Sequence, residues 1–304
     1  MKKLMKVMMG MLAVVMLGAC ADKGSESADT TEAEAPTTET DKTFKIGAIP
    51  DFNATELNDA FGDFAEYLSA ETGLDVEFVP TPDYAALVTG FERGEIDMGW
   101  FGGLTGVQVM NAVPEAEAIA QRPQDAEFQS VFIKHADVED VAELTDIVDH
   151  TFTFGSESST SGHLMPRFFM TEAGINPDED LADKPNYSGS HDRTYKLVES
   201  GAFQIGVVNM QYWDQAVADG EVDDSLAVEF YRTPEYFDYN WTINNVDAKF
   251  GEGTKETVKD VLLAMKKGDS KVMELLSADE FIETENANYD SIKEVATELN
   301  MLNN

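Results

Sequence analysis

Residues 151–163, TFTFGSESSTSGH, join a short β-like run to the start of a helix through a turn of small hydroxyl residues. The first N–H groups of a helix have no intrahelical partner, and the helix dipole adds about half a positive charge there. Ser159, Thr160 and Ser161 place hydroxyl donors at the same point. Because such runs are more often simple helix caps, the turn alone favours capping over anion binding. The rest of the chain decides between the two.

An alternation of strands and helices on both sides of this turn predicts an α/β fold, since β-α-β order is typical of parallel sheets with crossover helices. The helix over 53–72 is indicated by Leu57, Phe61, Phe64 and Leu68 at helical spacing, and Gly73 ends it. The other predicted strands are 43–50, 76–79, 96–101, 151–154, 184–187 and 205–208, and the other helices are 84–93, 161–173, 193–200, one through about 218, 254–266, 270–276 and 289–301.

The pattern runs twice, which predicts a two-lobed clamp. Each lobe is expected to be a mainly parallel sheet flanked by helices, and two crossover strands join the lobes at Ser130–Ala136 and Glu229–Phe237. We assign residues 43–133 plus 237–304 to lobe 1 and residues 134–236 to lobe 2.

The amino terminus is typical of a bacterial lipoprotein. Residues 1–19 combine three lysines with an apolar run too short to span a bilayer, so they are interpreted as a signal peptide. Cys20, the only cysteine, follows a lipobox-like sequence and is the predicted lipid attachment site. Residues 20–42 are acidic, lack aromatics, and are predicted to form a disordered tether. We therefore expect an extracytoplasmic, membrane-anchored protein.

The formal charge of −37 excludes nucleic-acid binding as a main role. It also repels anions at long range, although the Debye length falls to about 3 Å at 1 M salt. We hypothesise that the source organism is halophilic and that the acidic surface keeps the protein soluble. Full stability and unchanged ligand affinity in dilute buffer would refute that hypothesis.

The candidate binding side chains follow the carboxyl ends of predicted strands, where ligands of such sheets bind. They are Tyr84, Phe101, Ser159–Ser161, His191 and Asn209. The Ser188–His191 cluster is expected to lie opposite the hydroxyl turn across a cleft, where a neutral His191 donates one hydrogen bond or a charged one adds an ion pair. Trp100 is expected in the core, whereas Phe101 fits the core and a cleft wall equally well.

Motifs for catalysis are absent from the sequence. It has no Gly-x-Ser-x-Gly elbow, P-loop or dinucleotide fingerprint, and none of its four histidines has a zinc-ligand spacing. We predict a binding protein with no cofactor and no metal, rather than an enzyme.

Five segments together resemble the phosphate/phosphite/phosphonate-binding proteins of ABC importers, which have the type II periplasmic-binding-protein fold. They are residues 83–86, 97–102, 154–162, 188–191 and 205–209. Residues 84–86, 100–103 and 121–122 also look like a branch described as selenate-binding.

The resemblance implies a role for each matching residue. Ser159, Thr160 and Ser161 hold the oxyanion, while Tyr84 and His191 close on the same oxygens. Phe101 takes a position often filled by Tyr, so one hydroxyl is lost there. The lower-ranked ligand-binding candidates are Asn209, Gln211, Arg122 and Asp238. Because a neutral Gln211 stands where aminophosphonate binders carry an acid, the resemblance argues against an ammonium-bearing ligand. Arg122 fits a site cation and a surface residue equally well.

These observations predict a monomeric solute-binding lipoprotein that closes on a small oxyanion and delivers it to an ABC permease and ATPase complex. The alternative from another class is a sensory receptor that presents the same ligand to a membrane kinase or chemoreceptor. An enzyme on the same fold is the third alternative.

Overall fold

The computed structural model describes residues 42–302, so the predicted signal peptide, Cys20 and nearly all of the tether lie outside the described residues. The strands are β1 Thr43–Ala48, β2 Asp75–Phe78, β3 Met98–Phe101, β4 Glu117–Gln121, β5 Ser130–His135, β6 Phe152–Phe154, β7 Asn186–Tyr187, β8 Ile205–Asn209, β9 Ala227–Arg232, β10 Asn240–Ile243 and β11 Ile282–Glu283. They form one sheet of order β11-β4-β10-β3-β1-β2 and a second of order β7-β6-β8-β5-β9.

Helices flank both sheets. They are α1 Ala54–Thr72, α2 Tyr84–Glu92, α3 Gly103–Ala112, α4 Met165–Glu172, α5 His191–Glu199, α6 Met210–Asp219, α7 Asp247–Phe250, α8 Thr254–Ala264, α9 Lys271–Leu275 and α10 Asp290–Glu298, and a π-helical turn, Thr160–Leu164, precedes α4. None of the helices between residues 42 and 302 has both the length and the apolar character that a membrane span requires.

Both sheets are mixed. In the first, β1, β2 and β3 run parallel, while β10 is inserted antiparallel between β3 and β4. In the second, β6, β7 and β8 run parallel, while β5 lies antiparallel between β8 and β9. The two-lobed α/β fold predicted from the sequence is therefore confirmed, with antiparallel insertions where the chain passes from one sheet to the other.

The first predicted helix shows why the periodic reading succeeds. Leu57, Phe61, Phe64 and Leu68 are all buried, so the apolar stripe of α1 faces the core. Gly73 ends the helix in the left-handed conformation, with φ 74°, which costs glycine little because it has no Cβ.

The chain crosses between the sheets earlier than we predicted. Strand β5 pairs with β8 and β9 along its whole length, so a boundary at residue 133 cuts through a strand of the second sheet. The two linking segments instead meet at Phe128 and Tyr236, whose backbones exchange two hydrogen bonds of 2.9 Å. The first four residues of β5 are all buried, and this local pattern does not indicate which sheet the strand joins.

Candidate functional site

The carboxyl ends of strands from both sheets meet in one buried region. Asp51 follows β1, and Gly102 and Gly103 follow β3; the hydroxyl turn follows β6 in the other lobe. The Leu104 backbone N–H at the start of α3 donates to Thr160 Oγ1 across the lobes at 2.9 Å. A Cβ on Gly102 would lie 3.0 Å from Thr160 Oγ1, so this approach depends on glycine. The lobes are closed on each other here.

The hydroxyl turn is both a helix cap and a set of buried donors. Ser159 Oγ accepts from the Gly162 N–H at 2.9 Å, as a cap does. Thr160 and Ser161 open the π-helical turn, and their side chains face the Asp238 carboxyl. The first N–H groups of such a turn have no partner within it. The capping and anion-binding interpretations are therefore compatible.

His163, within the π-helical turn, is held by contacts with Glu157, Arg167 and Tyr187. Its Nδ1 lies 2.7 Å from the Glu157 carbonyl oxygen, and its Nε2 lies 3.0 Å from Arg167 Nε and 3.1 Å from the Tyr187 hydroxyl. Because Arg167 can only donate, Nε2 accepts and Nδ1 carries the proton. Burial lowers the pKa of His163 to about 4, which keeps the ring neutral.

His191 offers a proton donor without a partner. Its Nδ1 accepts from the Asn209 backbone N–H at 3.3 Å, so in the neutral ring the proton is on Nε2. Burial lowers the pKa of His191 to about 4, although Asp192 acts in the opposite direction. Nε2 is buried and makes no hydrogen bond among the described residues. The acceptor role of Nδ1 and the lowered pKa favour the neutral-donor alternative.

The predicted placement of the two clusters across a cleft was wrong. His191 and the hydroxyl turn lie side by side in the second lobe, and a Cβ on Gly162 would be 3.1 Å from His191 Cε1. Both segments follow neighbouring parallel strands, β6 and β7, which explains their proximity. The opposing surface comes from the first lobe and the linking segment that follows Tyr236.

Five buried polar atoms around this region make no hydrogen bond of normal geometry within the described chain. They are Asp51 Oδ1, Tyr84 Oη, His191 Nε2, Tyr212 Oη and Asp238 Oδ2. Burial is the main cause that raises the pKa of Tyr84, and the charges of Asp51 and Asp238 raise it further. The two carboxyls therefore lie near the Tyr84 phenol. Buried polar groups are rarely left unpaired, because each costs about 1–3 kcal/mol. An enclosed set of five indicates a polar ligand.

Two carboxyl groups belong to this set. Burial raises the pKa of Asp51 to about 7 against the opposing effect of a hydrogen bond from Tyr239. Burial likewise raises the pKa of Asp238 to about 7, although the Gly103 N–H donates to its Oδ1 at 2.8 Å. Each carboxyl keeps one unpaired oxygen.

Tyr84 and Phe101 differ in their positions. Tyr84 begins α2 behind the N-cap Asp83, and its hydroxyl faces Ser159 from the first lobe. Phe101 is fully buried, packs edge-on against Phe91 at 5.4 Å and lies over Gly99. Its ring contacts place it in the core of the first lobe, where Trp100 is also buried as predicted.

Arg122 is neither a surface residue nor a free site cation. It is buried, and its guanidinium pairs with both oxygens of Asp125, at 2.6 and 2.8 Å. The same side chain donates to Leu276 O at 2.6 Å and to Gln211 Oε1. Gln211, on α6, also donates to Leu276 O at 2.7 Å. Arg122 and Gln211 therefore join the lobes at this point, since α6 belongs to the second.

Asn209 makes a further connection between the lobes. Its Oδ1 caps α6 by accepting from the Tyr212 N–H at 2.6 Å, and its Nδ2 donates to the Tyr239 hydroxyl at 2.9 Å. The Tyr239 hydroxyl in turn donates to Asp51 Oδ2 at 2.9 Å. The contacts of Asn209 are thus with protein groups. Between residues 42 and 302, no cluster of three or more His, Cys, Asp or Glu side chains has the geometry of a metal site.

Comparison with known proteins identifies the family. Residues 46–289 match the family model for the periplasmic phosphonate substrate-binding protein of ABC transporters. The chain belongs to this family. A probable ABC transporter phosphite-binding protein, PhnD1 of Prochlorococcus marinus strain MIT 9301, is 38% identical over 270 residues, covering 86% of this chain and 91% of the relative. The phosphate-import protein PhnD of Mycolicibacterium smegmatis is 28% identical over 216 residues, covering 68% of this chain and 66% of that protein.

The solved structure of Prochlorococcus marinus PhnD1 with methylphosphonate superposes on this chain with a TM-score of 0.81, covering 86% of this chain and 99% of PhnD1. The family and fold predicted from the sequence are therefore confirmed, including an extracytoplasmic location. The named members are substrate-binding components of transporters and not enzymes. The narrower resemblance to selenate-binding proteins stays a prediction.

Sequence reasoning missed three residues of the buried polar region. Asp51, Tyr212 and Tyr239 carry an unpaired atom or a hydrogen bond that joins the lobes. Tyr212 lies just after the predicted strand 205–208, whose end supplied the candidates Asn209 and Gln211. Asp51 follows the first predicted strand, whose end supplied no candidate. Asp51 was not selected because the search was for hydrogen-bond donors to an anion, and a carboxylate is an acceptor.

Proposed function

We propose that this protein is a lipid-anchored solute-binding component of an ABC importer that carries phosphite or a small phosphonate such as methylphosphonate. The observation that supports it most strongly is the set of five unpaired buried polar atoms, three of which are the donors Tyr84 Oη, His191 Nε2 and Tyr212 Oη. They occur in a chain 38% identical to a probable phosphite-binding protein. The lipid anchor rests on the sequence around Cys20 alone.

Closure is the proposed mechanism of capture. The second lobe supplies Ser159, Thr160, Ser161 and His191, and the first supplies Tyr84. A ligand that contacts both sets binds the closed form more tightly than the open form, and so shifts the population toward closure. The permease then recognises the closed form.

An anionic ligand can bind to this acidic protein because most of the carboxylates are far from the site. Donors at about 2.7–3.0 Å in a dry site act strongly, whereas remote carboxylates are screened by salt. The enclosed donors are neutral, and Arg122 is already paired with Asp125. We therefore expect hydrogen bonds, rather than net charge, to hold the ligand.

A thermal-shift panel tests this proposal. The chain from residue 43 onward is heated in about 1 M salt with phosphite, methylphosphonate, phosphate, sulfate or selenate. A ligand at 100 times its Kd stabilises the protein by about 2.7 kcal/mol, which raises Tm by roughly 5–10 °C for a chain of this size. We expect such a rise with phosphite or methylphosphonate. No rise with any of the five anions refutes the proposal.

A further inference from the structure

The proposed anion site contains two carboxyl groups that an anion should avoid. Asp51 Oδ1 and Asp238 Oδ2 are buried and unpaired. The charges of both carboxyls act on Tyr84, and Asp238 also faces the side chains of Thr160 and Ser161. A proton-free anion beside either oxygen would meet repulsion and could donate nothing to it. A site that only donates hydrogen bonds to an anion does not account for these two unpaired acceptor oxygens.

The two carboxyls differ in what faces them. Asp238 is approached by the Gly103 N–H at 2.8 Å and by the side chains of Thr160 and Ser161, so donors of the protein already surround it. The other titratable groups that interact with its charge are Asp51, Asp125, Tyr84, Tyr236, Tyr239 and Tyr289.

Asp51 has fewer protein donors. Its Oδ2 accepts from the Tyr239 hydroxyl at 2.9 Å, and its own backbone N–H also lowers the pKa of the carboxyl. The remaining ionisable groups that interact with it are Arg122, Asp238, Tyr84 and Tyr212. The Arg122 guanidinium donates its hydrogen bonds to Asp125, Gln211 and Leu276, so its charge acts on Asp51 without a direct hydrogen bond. Oδ1 is therefore the acceptor in the region that most needs a donor from outside the chain.

We propose that Asp51 is a specificity-determining residue whose Oδ1 accepts a hydrogen bond from an acidic hydroxyl of the ligand, so that the site selects P–OH anions over proton-free sulfate and selenate. This inference rests on the function proposed above. Phosphite and methylphosphonate lose their second proton near neutral pH, so they can supply that hydroxyl, whereas sulfate and selenate carry no proton. Burial already holds the pKa of Asp51 at about 7, which suits a proton shared with the ligand.

An ammonium group on the ligand is the competing way to satisfy Asp51. The position of Arg122 disfavours it, because its guanidinium lies 4.9 Å from the Tyr239 ring, and Tyr239 binds Asp51 directly. A second cation would be placed beside one that is already buried. A neutral hydroxyl adds no charge there.

Calorimetry at pH 8 tests the proposal on the wild-type chain from residue 43 onward. Phosphite, methylphosphonate, sulfate, selenate and 2-aminoethylphosphonate are titrated in about 1 M NaCl, in two buffers that differ in ionisation enthalpy. We expect phosphite to bind with uptake of about one proton. We expect sulfate and selenate to bind on the order of 100-fold more weakly, because a site built for a hydroxyl rejects a ligand that lacks it.

Two variants distinguish a direct hydrogen bond to Asp51 from a general effect of removing one negative charge nearby. In Asp51→Asn the amide presents an N–H, so we expect sulfate affinity to rise about 10-fold and proton uptake with phosphite to fall. Asp192→Asn is the control: it also removes one negative charge, from a side chain that acts on His191, but leaves Asp51 in place. We expect it to keep the wild-type proton uptake and selectivity.

The outcomes distinguish this inference from the proposed function. Sulfate binding as tightly as phosphite in the wild type, phosphite binding without proton uptake, or aminoethylphosphonate binding at least 10-fold more tightly than phosphite each overturns the role of Asp51. An unchanged sulfate affinity and proton uptake in a folded Asp51→Asn also overturns it. Binding of none of the anions refutes the proposed function itself.

Discussion

Thr160 makes a direct hydrogen bond between the two lobes, and we expect closure to depend on it. Its hydroxyl accepts from the Leu104 N–H of the first lobe at 2.9 Å and faces the Asp238 carboxyl. Thr160→Val keeps the shape of the side chain and removes that hydroxyl. In the closed form the Leu104 N–H then loses its partner, while in the open form water can reach it.

The magnitude follows from that difference between the two forms. A buried group left unpaired costs about 1–3 kcal/mol, and since 1.4 kcal/mol is a factor of ten, we expect the variant to bind its ligand about 5- to 150-fold more weakly. The loss arises mainly in the closed form, so the melting temperature of the ligand-free protein should change little. Calorimetry with phosphite and methylphosphonate measures the affinity, and small-angle X-ray scattering measures closure.

Thr153→Val is the matched control. Thr153 is equally buried in the second lobe, but its hydroxyl donates to Phe154 O and accepts from Asn186 Nδ2 within that lobe. We expect this variant to lose stability and to retain its affinity. The reasoning is refuted if Thr160→Val binds within twofold of wild type while its melting temperature falls as far as that of Thr153→Val.

Three further changes have defined expected results. Gly102→Ala places a Cβ 3.0 Å from Thr160 Oγ1 and 3.3 Å from Asp238 Oδ1, so it should obstruct closure and weaken binding at least 10-fold in calorimetry, with a normal far-UV spectrum; wild-type affinity contradicts this. His191→Phe removes the Nε2 donor and should weaken phosphite binding on the order of 10- to 100-fold, whereas an effect below threefold means that the donor does not touch the ligand. Burial raises the pKa of Asp238 to about 7 from an ordinary value of 3.8, so between those pH values the folded state holds a proton that the unfolded state has released. The stability contributed by this proton is fully present below pH 3.8 and is lost as the pH rises through 7. Asp238→Asn should therefore gain stability relative to wild type on going from pH 5 to pH 8 in guanidinium unfolding without ligand, and an equal pH dependence of the two proteins would rule this out.

The long helices and parallel strands could be predicted because each carries a local signal. The apolar stripe of α1 and the left-handed Gly73 are properties of a short window of sequence. Helix α3 and strand β10 lacked such a signal. The helix begins at Gly103, in a glycine pair that predicts a turn, and β10 pairs with β3 and β4 far away in the chain.

The candidate site divides in the same way. Ser159, Thr160, Ser161 and Tyr84 lie where strand-end reasoning expected them, because the carboxyl ends of parallel strands share one edge. The state of Arg122 depended on Asp125, three residues away in a short 3-10 turn, and on α6 of the other lobe. Pairing of that kind is a tertiary property that a single sequence does not reveal.

A crystal structure of the ligand-bound protein tests the central claim most directly. Crystals grown with methylphosphonate or phosphite should contain one tetrahedral anion between the lobes, within about 3 Å of His191 Nε2, the Tyr84 hydroxyl and the Ser159–Ser161 turn. An anion bound anywhere else, or closed lobes with Asp51, Tyr84 and His191 paired only to protein groups, would contradict the account.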